Sequence, residues 1–172
     1  MQRHFLDCHC DTNLAIFLFD GTQVRLVAKN SGGLLIRTGT RRYGVYYALN
    51  NKGQVVFVGI SSPNAMDGIW IGDASGEPPK KLMGLREPTG IEGWGDYQPG
   101  SLWLRGFNDA GKVLYDCNTS GGARHALFLK SLDDTKPQVV FYRNQPGGTG
   151  GRLFFNAEQS TLSNSVPPKV AF

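Results

Sequence analysis

Two stretches of the chain decide its fold class, LNNKGQVVFVG at residues 49–59 and FNDAGKVLYDC at residues 107–117. Each stretch begins with an apolar residue and then Asn, followed by Asn or Asp, any residue, Gly and a polar residue. An apolar run completes the pattern, and the second stretch lies 58 residues after the first (from 49 to 107). An Asn-x-x-Gly segment before an apolar run is typical of a turn that places the glycine at positive φ and leads into a strand. The same turn and strand found twice predict an internal repeat of β-structure.

Two further pairs of segments match at the same offset and in the same order. GIWI at 68–71 corresponds to ALFL at 126–129, and PPKKLMG at 78–84 corresponds to KPQVVFY at 136–142. Each is an apolar or mixed run of strand length bounded by turn residues. Three ordered matches therefore predict two equivalent units.

The first part of the chain aligns with the same pattern. RHFLDC at 3–8 corresponds to KVLYDC at 112–117, AIFLFDG at 15–21 corresponds to GIWIGDA at 68–74, and QVRLVAK at 23–29 falls on the third strand of a unit. The sequence thus predicts one all-β domain over residues 1–172 with three units and a tail. The predicted bounds are 3–48, 49–106 and 107–156 for the units and 157–172 for the tail.

Each unit is expected to be an antiparallel four-stranded meander, because four apolar runs of strand length alternate with turns. Composition agrees, since 23 glycines and 9 prolines divide a chain with 40% hydrophobic residues into short apolar runs. In the second unit the predicted strands are 55–60, 68–72, 79–84 and 101–106.

The net charge does not favour a nucleic-acid surface. Eighteen Lys and Arg against 14 Asp and Glu leave a charge of +4, which is spread along the chain rather than gathered in one stripe. Nucleic-acid binding through Arg37, Arg41, Arg42 and Tyr43 is therefore the weakest function hypothesis. There is no apolar stretch near 18 residues and no leader of charged, apolar and small residues, so we expect no membrane span, and no compartment is indicated.

The stretch HFLDCHCDTN at 4–13 raises the question of a metal site. Zinc needs about four ligands, usually in two separated pairs, and only Cys117 and His125 are distant candidates. The alignment of units places Cys8 at the strand position of Cys117. The sequence therefore predicts free thiols and no metal.

Long polar loops follow the third strand of each unit, at 29–42, 84–100 and 142–151. Equivalent loops of stacked units would share one rim, which we take as the candidate binding surface. The middle loop is the richest, and its predicted ligand-binding residues are Arg86, Glu92, Trp94, Asp96 and Tyr97.

Two interpretations of that loop remain open. Trp94 and Tyr97 with Glu92 and Asp96 nearby have the residue types that stack on a sugar and supply the carboxylate pair of a glycosidase. Alternatively, the two aromatic side chains fold back as anchors of their own loop. No Gly-x-Ser-x-Gly elbow is present, and PGGTGG at 146–151 lacks the Lys-Ser/Thr and the helix of a phosphate loop, so no catalytic residue and no cofactor is predicted.

The pattern LNNKGQVVFVG followed by DGIWIGDASGEPPKKLMG resembles bacterial β-propeller-type repeats written Asn-Asp-x-Gly-x-Val-x-Phe and then Gly-Ile-Phe. The chain lacks the Gly-His and Trp-Asp pairs of WD40 blades and the double-glycine pattern of kelch blades. It also lacks the Ser-x-Asp-x-Gly-x-x-Trp motif of Asp-box glycosidase propellers. The resemblance implies a propeller-like fold with about three blades, hence a partial ring or half-propeller, since rings usually have 4 to 8 blades.

Such repeats are often found in exported proteins of unassigned function, and their motifs specify no chemistry. The sequence therefore favours a non-catalytic repeat module for binding or self-association, with a homodimer completing the ring and a glycan or protein as ligand. The alternative is a carbohydrate-active or carbohydrate-binding protein that uses the 84–100 loop.

Overall fold

The structure is a computed structural model that describes residues 14–31, 34–36, 47–61, 66–121 and 125–142, with the backbone of 161–162 and 170–171. Over these residues the chain forms strands and turns, and all the strand pairs are antiparallel. The predicted all-β class is confirmed. The strands are β1 (Ala15–Phe19), β2 (Val24–Lys29), β3 (Leu34–Ile36), β4 (Tyr47–Leu49), β5 (Val55–Ser61), β6 (Met66–Gly72), β7 (Lys80–Gly84), β8 (Tyr97–Phe107), β9 (Val113–Thr119), β10 (His125–Lys130), β11 (Gln138–Tyr142), β12 (Thr161–Leu162) and β13 (Val170–Ala171).

Three sheets follow one another along the chain. Sheet 1 is the hairpin of β1 and β2, and sheet 3 is a meander in the order β8-β9-β10-β11. In sheet 2, β5, β6 and β7 are consecutive neighbours, while β3 and β4 both pair with β5. Because β3 pairs with one end of β5 and β4 with the other, the two short strands together take the place that β8 has in sheet 3. A separate small sheet joins β12 to β13.

The sequence grouped one strand with the wrong sheet. The segment 101–106 was assigned with β5, β6 and β7, but it belongs to β8, which pairs with β9. The reason is the length of the connections, since five residues join Phe107 to its partner Val113, whereas a twelve-residue loop separates β8 from β7. A tight turn makes its flanking strands neighbours. Residues 34–36, predicted to lie in a loop, are strand β3.

The Asn-x-x-Gly turns have the predicted backbone conformation. Gly53 has φ 78° and Gly111 has φ 75°, where an L side chain is strained. In the second turn the Asn108 side-chain oxygen accepts from the backbone N–H groups of Ala110 and Lys112 at 3.1 and 3.0 Å. Asn50 closes the first turn in the same way.

The two turns are also bonded to each other. The Asn50 amide donates to the backbone oxygen of Asn108 at 3.1 Å. The Asn51 backbone N–H and side-chain amide donate to the two carboxylate oxygens of Asp109 at 2.7 and 2.9 Å. Those bonds to Asn51, with Lys52 a smaller contributor, hold the pKa of Asp109 below its usual value. Sheets 2 and 3 are therefore joined at their turn ends.

Three hairpins share one irregularity of strand pairing. A β-bulge falls between Ile16 and Phe17 in sheet 1, between Ile69 and Trp70 in sheet 2, and at the corresponding step, Leu127 to Phe128, in sheet 3. A bulge shifts register by one residue and increases local twist. The three hairpins thus agree in pairing as well as in sequence.

Sheet 2 is the middle layer of the described core. Along β5 successive side chains point to opposite faces. Val55 and Phe57 pack against the sheet 1 cluster that includes Ile16 and Leu18. Val56 and Val58 instead pack in the cluster shared with sheet 3, whose members include Leu104, Val113, Tyr115 and Phe128.

The sheets stack in series, with unlike faces in contact. At the offset of 58, Val113 and Tyr115 of sheet 3 are the equivalents of Val55 and Phe57 of sheet 2, and both pairs face the preceding sheet. The opposite face of sheet 3 forms a third buried cluster. Its members Leu114, Leu127, Leu129 and Phe141 are the equivalents of Val56, Ile69, Ile71 and Met83.

Candidate functional site

The loop over residues 85–96 carries the predicted ligand-binding residues and is closed at its base by backbone hydrogen bonds. Arg86 N–H donates to the Tyr97 carbonyl at 2.7 Å, and Tyr97 N–H donates to the Glu87 carbonyl at 3.0 Å. Further along, Thr89 N–H donates to the Gly95 carbonyl at 2.9 Å. The loop is therefore an ordered ribbon and not an open connection.

The two aromatic side chains of the loop lie inward. Tyr97 is 2% exposed, and its hydroxyl is 2.8 Å from the hydroxyl of Tyr115. Trp94 packs edge-on against Phe128, with ring centroids 5.9 Å apart, and against Tyr142 at 5.5 Å. These ring contacts are those that the anchor interpretation predicts, with Tyr97 buried and Trp94 half-buried.

The three charged residues of the predicted site are exposed on the same loop. Arg86 has φ 65°, a left-handed backbone conformation that is uncommon for a residue with a side chain. Asp96 is tied by its backbone to the β9–β10 turn, where Ser120 accepts from the Asp96 N–H at 2.8 Å. The structure thus brings Arg86, Glu92 and Asp96 to the surface and separates them from Trp94 and Tyr97.

The β9–β10 turn lies so close to the loop that one position excludes any side chain. A Cβ added to Gly121 would be 2.5 Å from the Gly93 carbonyl oxygen. Gly121 N–H donates to the Trp94 carbonyl at 3.1 Å. In the other two loops of the predicted rim, residues 32–33 and 37–42 of the first and 143–151 of the second lie outside the described residues, so their convergence stays a prediction.

Burial gives this region a pH dependence. Loss of hydration raises the pKa of Tyr97 to about 12 and that of Tyr115 well above its usual value. Burial, helped by the charge of Asp116, raises the pKa of the Cys117 thiol to about 12. Because the folded chain holds these protons more tightly than the unfolded chain, the stability they contribute is complete below about pH 9 and is lost as the pH rises towards 12.

We expect the free energy of unfolding to fall above about pH 9, with each fully titrating group contributing about 1.4 kcal/mol per pH unit. Urea unfolding at a series of pH values between about 8 and 11 measures this slope. The Cys117→Ala variant should show a shallower slope than the wild type between about pH 8.5 and 9.5, where the thiol of the unfolded chain titrates ahead of the two tyrosines. An identical slope in both proteins would contradict the assignment.

Sequence analysis missed a buried charge cluster on the far face of sheet 3. Asp116 is fully buried, and the Arg105 guanidinium donates to its Oδ2 atom from Nε at 2.6 Å. His125 Nε2 lies 3.6 Å from the Asp116 Oδ1 atom. The sequence signal for this cluster was Asp116, a charged residue inside the apolar run VLYDC. It stands at the position that Val58 has in sheet 2. The Arg105 guanidinium neutralises the buried carboxylate of Asp116.

A cavity of about 210 Å³ opens where the two Asn-x-x-Gly turns meet the β10–β11 loop. Its charged lining residues are Lys52, Asp109 and Asp133, and Phe107 and Leu132 supply apolar surface. Asp109 already accepts two hydrogen bonds from Asn51. Among the described residues there is no group of three or more His, Cys, Asp or Glu side chains placed to hold a metal ion.

One face of sheet 1 carries four large apolar side chains that are partly exposed, and Lys29, which pairs with Ala15, lies at one end of it. Phe17 pairs with Leu26 and Phe19 with Val24, and side chains directly opposite each other in an antiparallel pair lie on the same face. Val24 is 56% exposed and Leu26 is 41% exposed, while both Phe side chains are half-buried. We call these four side chains the first-sheet face.

A search of the described residues for a helix long and apolar enough to cross a membrane finds none. Comparison of the chain with protein-family models, with curated proteins and with solved structures finds no match.

Proposed function

We propose that this chain is a non-catalytic, propeller-like repeat module whose function is binding or self-association through the first-sheet face. The proposal rests on four apolar side chains that share one face of the hairpin, where Val24 and Leu26 are exposed and Phe17 and Phe19 are half-buried, while the other face packs against sheet 2. Contiguous apolar surface of this kind marks interaction sites on folded proteins.

The stacking order supports the proposal. Phe128 of sheet 3 occupies the position that Phe17 has in sheet 1, and it is fully buried against the preceding layer. Trp70 is the equivalent in sheet 2 and packs in the cluster shared with sheet 1. The face that sheets 2 and 3 use to contact the preceding sheet is therefore the face on which sheet 1 exposes Val24 and Leu26.

The same stacking order supports a propeller-like arrangement. When each sheet contacts the next through unlike faces, further sheets can be added until a ring closes. When two copies meet through the same face, the assembly stops at two. Three sheets in series are fewer than the 4 to 8 blades of closed propellers. We therefore propose a partial ring, in which the first-sheet face is the end that accepts a further layer.

The stability of Leu26→Lys tests whether this face is free. Leu132 lies on the β10–β11 loop, is also 41% exposed, and provides the matched control Leu132→Lys. If the first-sheet face is a binding surface, both variants should unfold within about 0.5 kcal/mol of the wild type, as surface substitutions do. The measurement is urea unfolding at a protein concentration of about 1 μM or below, so that association adds little to stability.

A selective loss of about 2 kcal/mol or more in Leu26→Lys alone would show that the face is packed within its own chain. That outcome would refute the proposed function.

A further inference from the structure

The far face of sheet 3 is closed to water in a single chain. Leu114 and Leu127 on this face are 0% exposed, and Leu129 and Phe141 complete their cluster. Among the described residues, the partly buried side chain packed against the cluster is Val140, which belongs to the same sheet. Because a sheet buries an apolar face only against a second layer, another part of the chain lies over these residues.

The pair of β12 and β13, which we call the tail hairpin, lies next to sheet 3. In this hairpin Thr161 pairs with Ala171, and Leu162 pairs with Val170. Cα atoms of β12 lie within 8 Å of Cα atoms of β8, yet the two strands belong to different sheets. The tail hairpin therefore contacts sheet 3 as a separate layer and does not extend it by strand pairing.

The other face of sheet 3 is already filled by sheet 2. Cα atoms of β4, β5 and β6 each lie within 8 Å of Cα atoms of β8. Leu104 of β8 packs in the cluster that these two sheets share, and it is 1% exposed. The tail hairpin thus meets β8 where sheet 2 does not, on the side of the far face.

The offset of the repeat gives β12 the same place in a further layer. Thr161 and Leu162 follow Trp103 and Leu104 of β8 by 58 residues, the offset that relates the units. In the preceding layer, β4 lies 58 residues before residues 105–107 of β8 and next to that strand. β4, β8 and β12 therefore recur in successive layers, and β12 begins a fourth layer as β8 begins sheet 3.

We propose that the tail hairpin is a cap that covers the far face of sheet 3 and ends the stack of layers within the chain. A stack of unlike faces has an apolar face at each end, and repeat proteins need capping units to keep such ends soluble. The cap closes the end that follows sheet 3. This inference concerns the opposite end of the stack from the first-sheet face, so it does not depend on the proposed function.

Breaking the tail hairpin in the full chain tests the cap. Hydrogen-bonded pairs alternate along an antiparallel ladder, so Leu162→Pro with Ala171→Pro removes at least one ladder hydrogen bond. Leu114→Ala is then compared with and without this double change. We expect Leu114→Ala to lower the urea midpoint of unfolding in the otherwise wild-type chain. With the hairpin broken, the shift should fall to about half or less, because Leu114 has then lost its cover.

Val113→Ala is the matched control. Val113 is the neighbour of Leu114 on β9, is also 0% exposed, and packs on the opposite face in the cluster shared with sheet 2. Its midpoint shift should be the same whether the tail hairpin is intact or broken. Circular dichroism verifies that the proline variant is folded. If it is not, Leu162→Gly with Ala171→Gly replaces it, since glycine weakens a strand and keeps the backbone N–H.

An equal shift of Leu114→Ala with the hairpin intact and broken would overturn the inference, because a different segment would then cover Leu114. The inference also fails if the shifts of Leu114→Ala and Val113→Ala shrink together, since that result indicates a general loosening of sheet 3. Neither outcome bears on Leu26→Lys, whose stability tests the proposed function separately.

Discussion

The Phe128→Ala variant is expected to lose about 3–5 kcal/mol of unfolding free energy, the usual cost of emptying a fully buried aromatic site. Phe128 stacks on Tyr115 with ring centroids 5.5 Å apart and meets Tyr97 edge-on at 5.6 Å. It also contacts Trp94, so its removal leaves a void where β9, β10 and the 85–96 loop meet. The loss is therefore larger than the transfer free energy of the ring alone.

Urea or guanidinium unfolding of the wild type and variant measures this difference. Phe128→Leu is the matched control, and because it keeps most of the apolar volume it should cost about 1–1.5 kcal/mol. A second readout is the tryptophan fluorescence of the folded protein, in which the contribution of Trp94 should change in Phe128→Ala because one of its contacting rings is gone. A loss below about 1 kcal/mol in Phe128→Ala would show that this aromatic cluster is not a packed core.

Replacing Asp116 by valine is the second change with a large expected effect, again about 3–5 kcal/mol. The side chain of Asp116 is 0% exposed and that of Arg105 is 8% exposed, with Arg105 Nη2 2.5 Å from Asp116 Oδ2. Without the carboxylate, the guanidinium is left buried with its charge no longer neutralised by Asp116. Valine is the informative replacement because Val58 occupies the equivalent position of sheet 2.

The double variant Arg105→Met with Asp116→Val separates charge from packing. Replacing both members of a buried ion pair by apolar residues is often neutral or stabilising, so the double variant should recover most of the loss. Unfolding free energies of the two single variants and the double variant complete the cycle. Equal losses in Asp116→Val and in the double variant would mean that Asp116 contributes through its other contacts, with His125 foremost.

Local chemistry made the strands and turns predictable. Asn108 and Gly111 form their turn with bonds between near neighbours, so a short segment contains the whole cause of its conformation. Asn50 and Gly53 repeat that chemistry. For the same reason the predicted strands 55–60, 68–72 and 79–84 agree with β5, β6 and β7 to within two residues at every end.

The sequence predicted that the candidate site lies on a loop, but it did not predict which side chains of the loop are exposed. The run from Arg86 to Tyr97 has the composition of a binding loop, yet whether a ring faces water or core depends on a neighbour distant in the chain. Phe128 fills that role for Trp94 and Tyr97. A single sequence does not show which distant residues pack together, so it leaves both interpretations of the loop open.

By itself the sequence determined the all-β class, the turn positions and the offset of 58, because these depend on period-two patterns and on residues within a few positions of each other. Only the tertiary structure decided that β8 joins β9, that Asp116 is buried with Arg105, and that sheet 1 leaves Val24 and Leu26 exposed. Sheet membership and burial are set by which elements pack together, and packing is a property of the assembled layers rather than of any one segment.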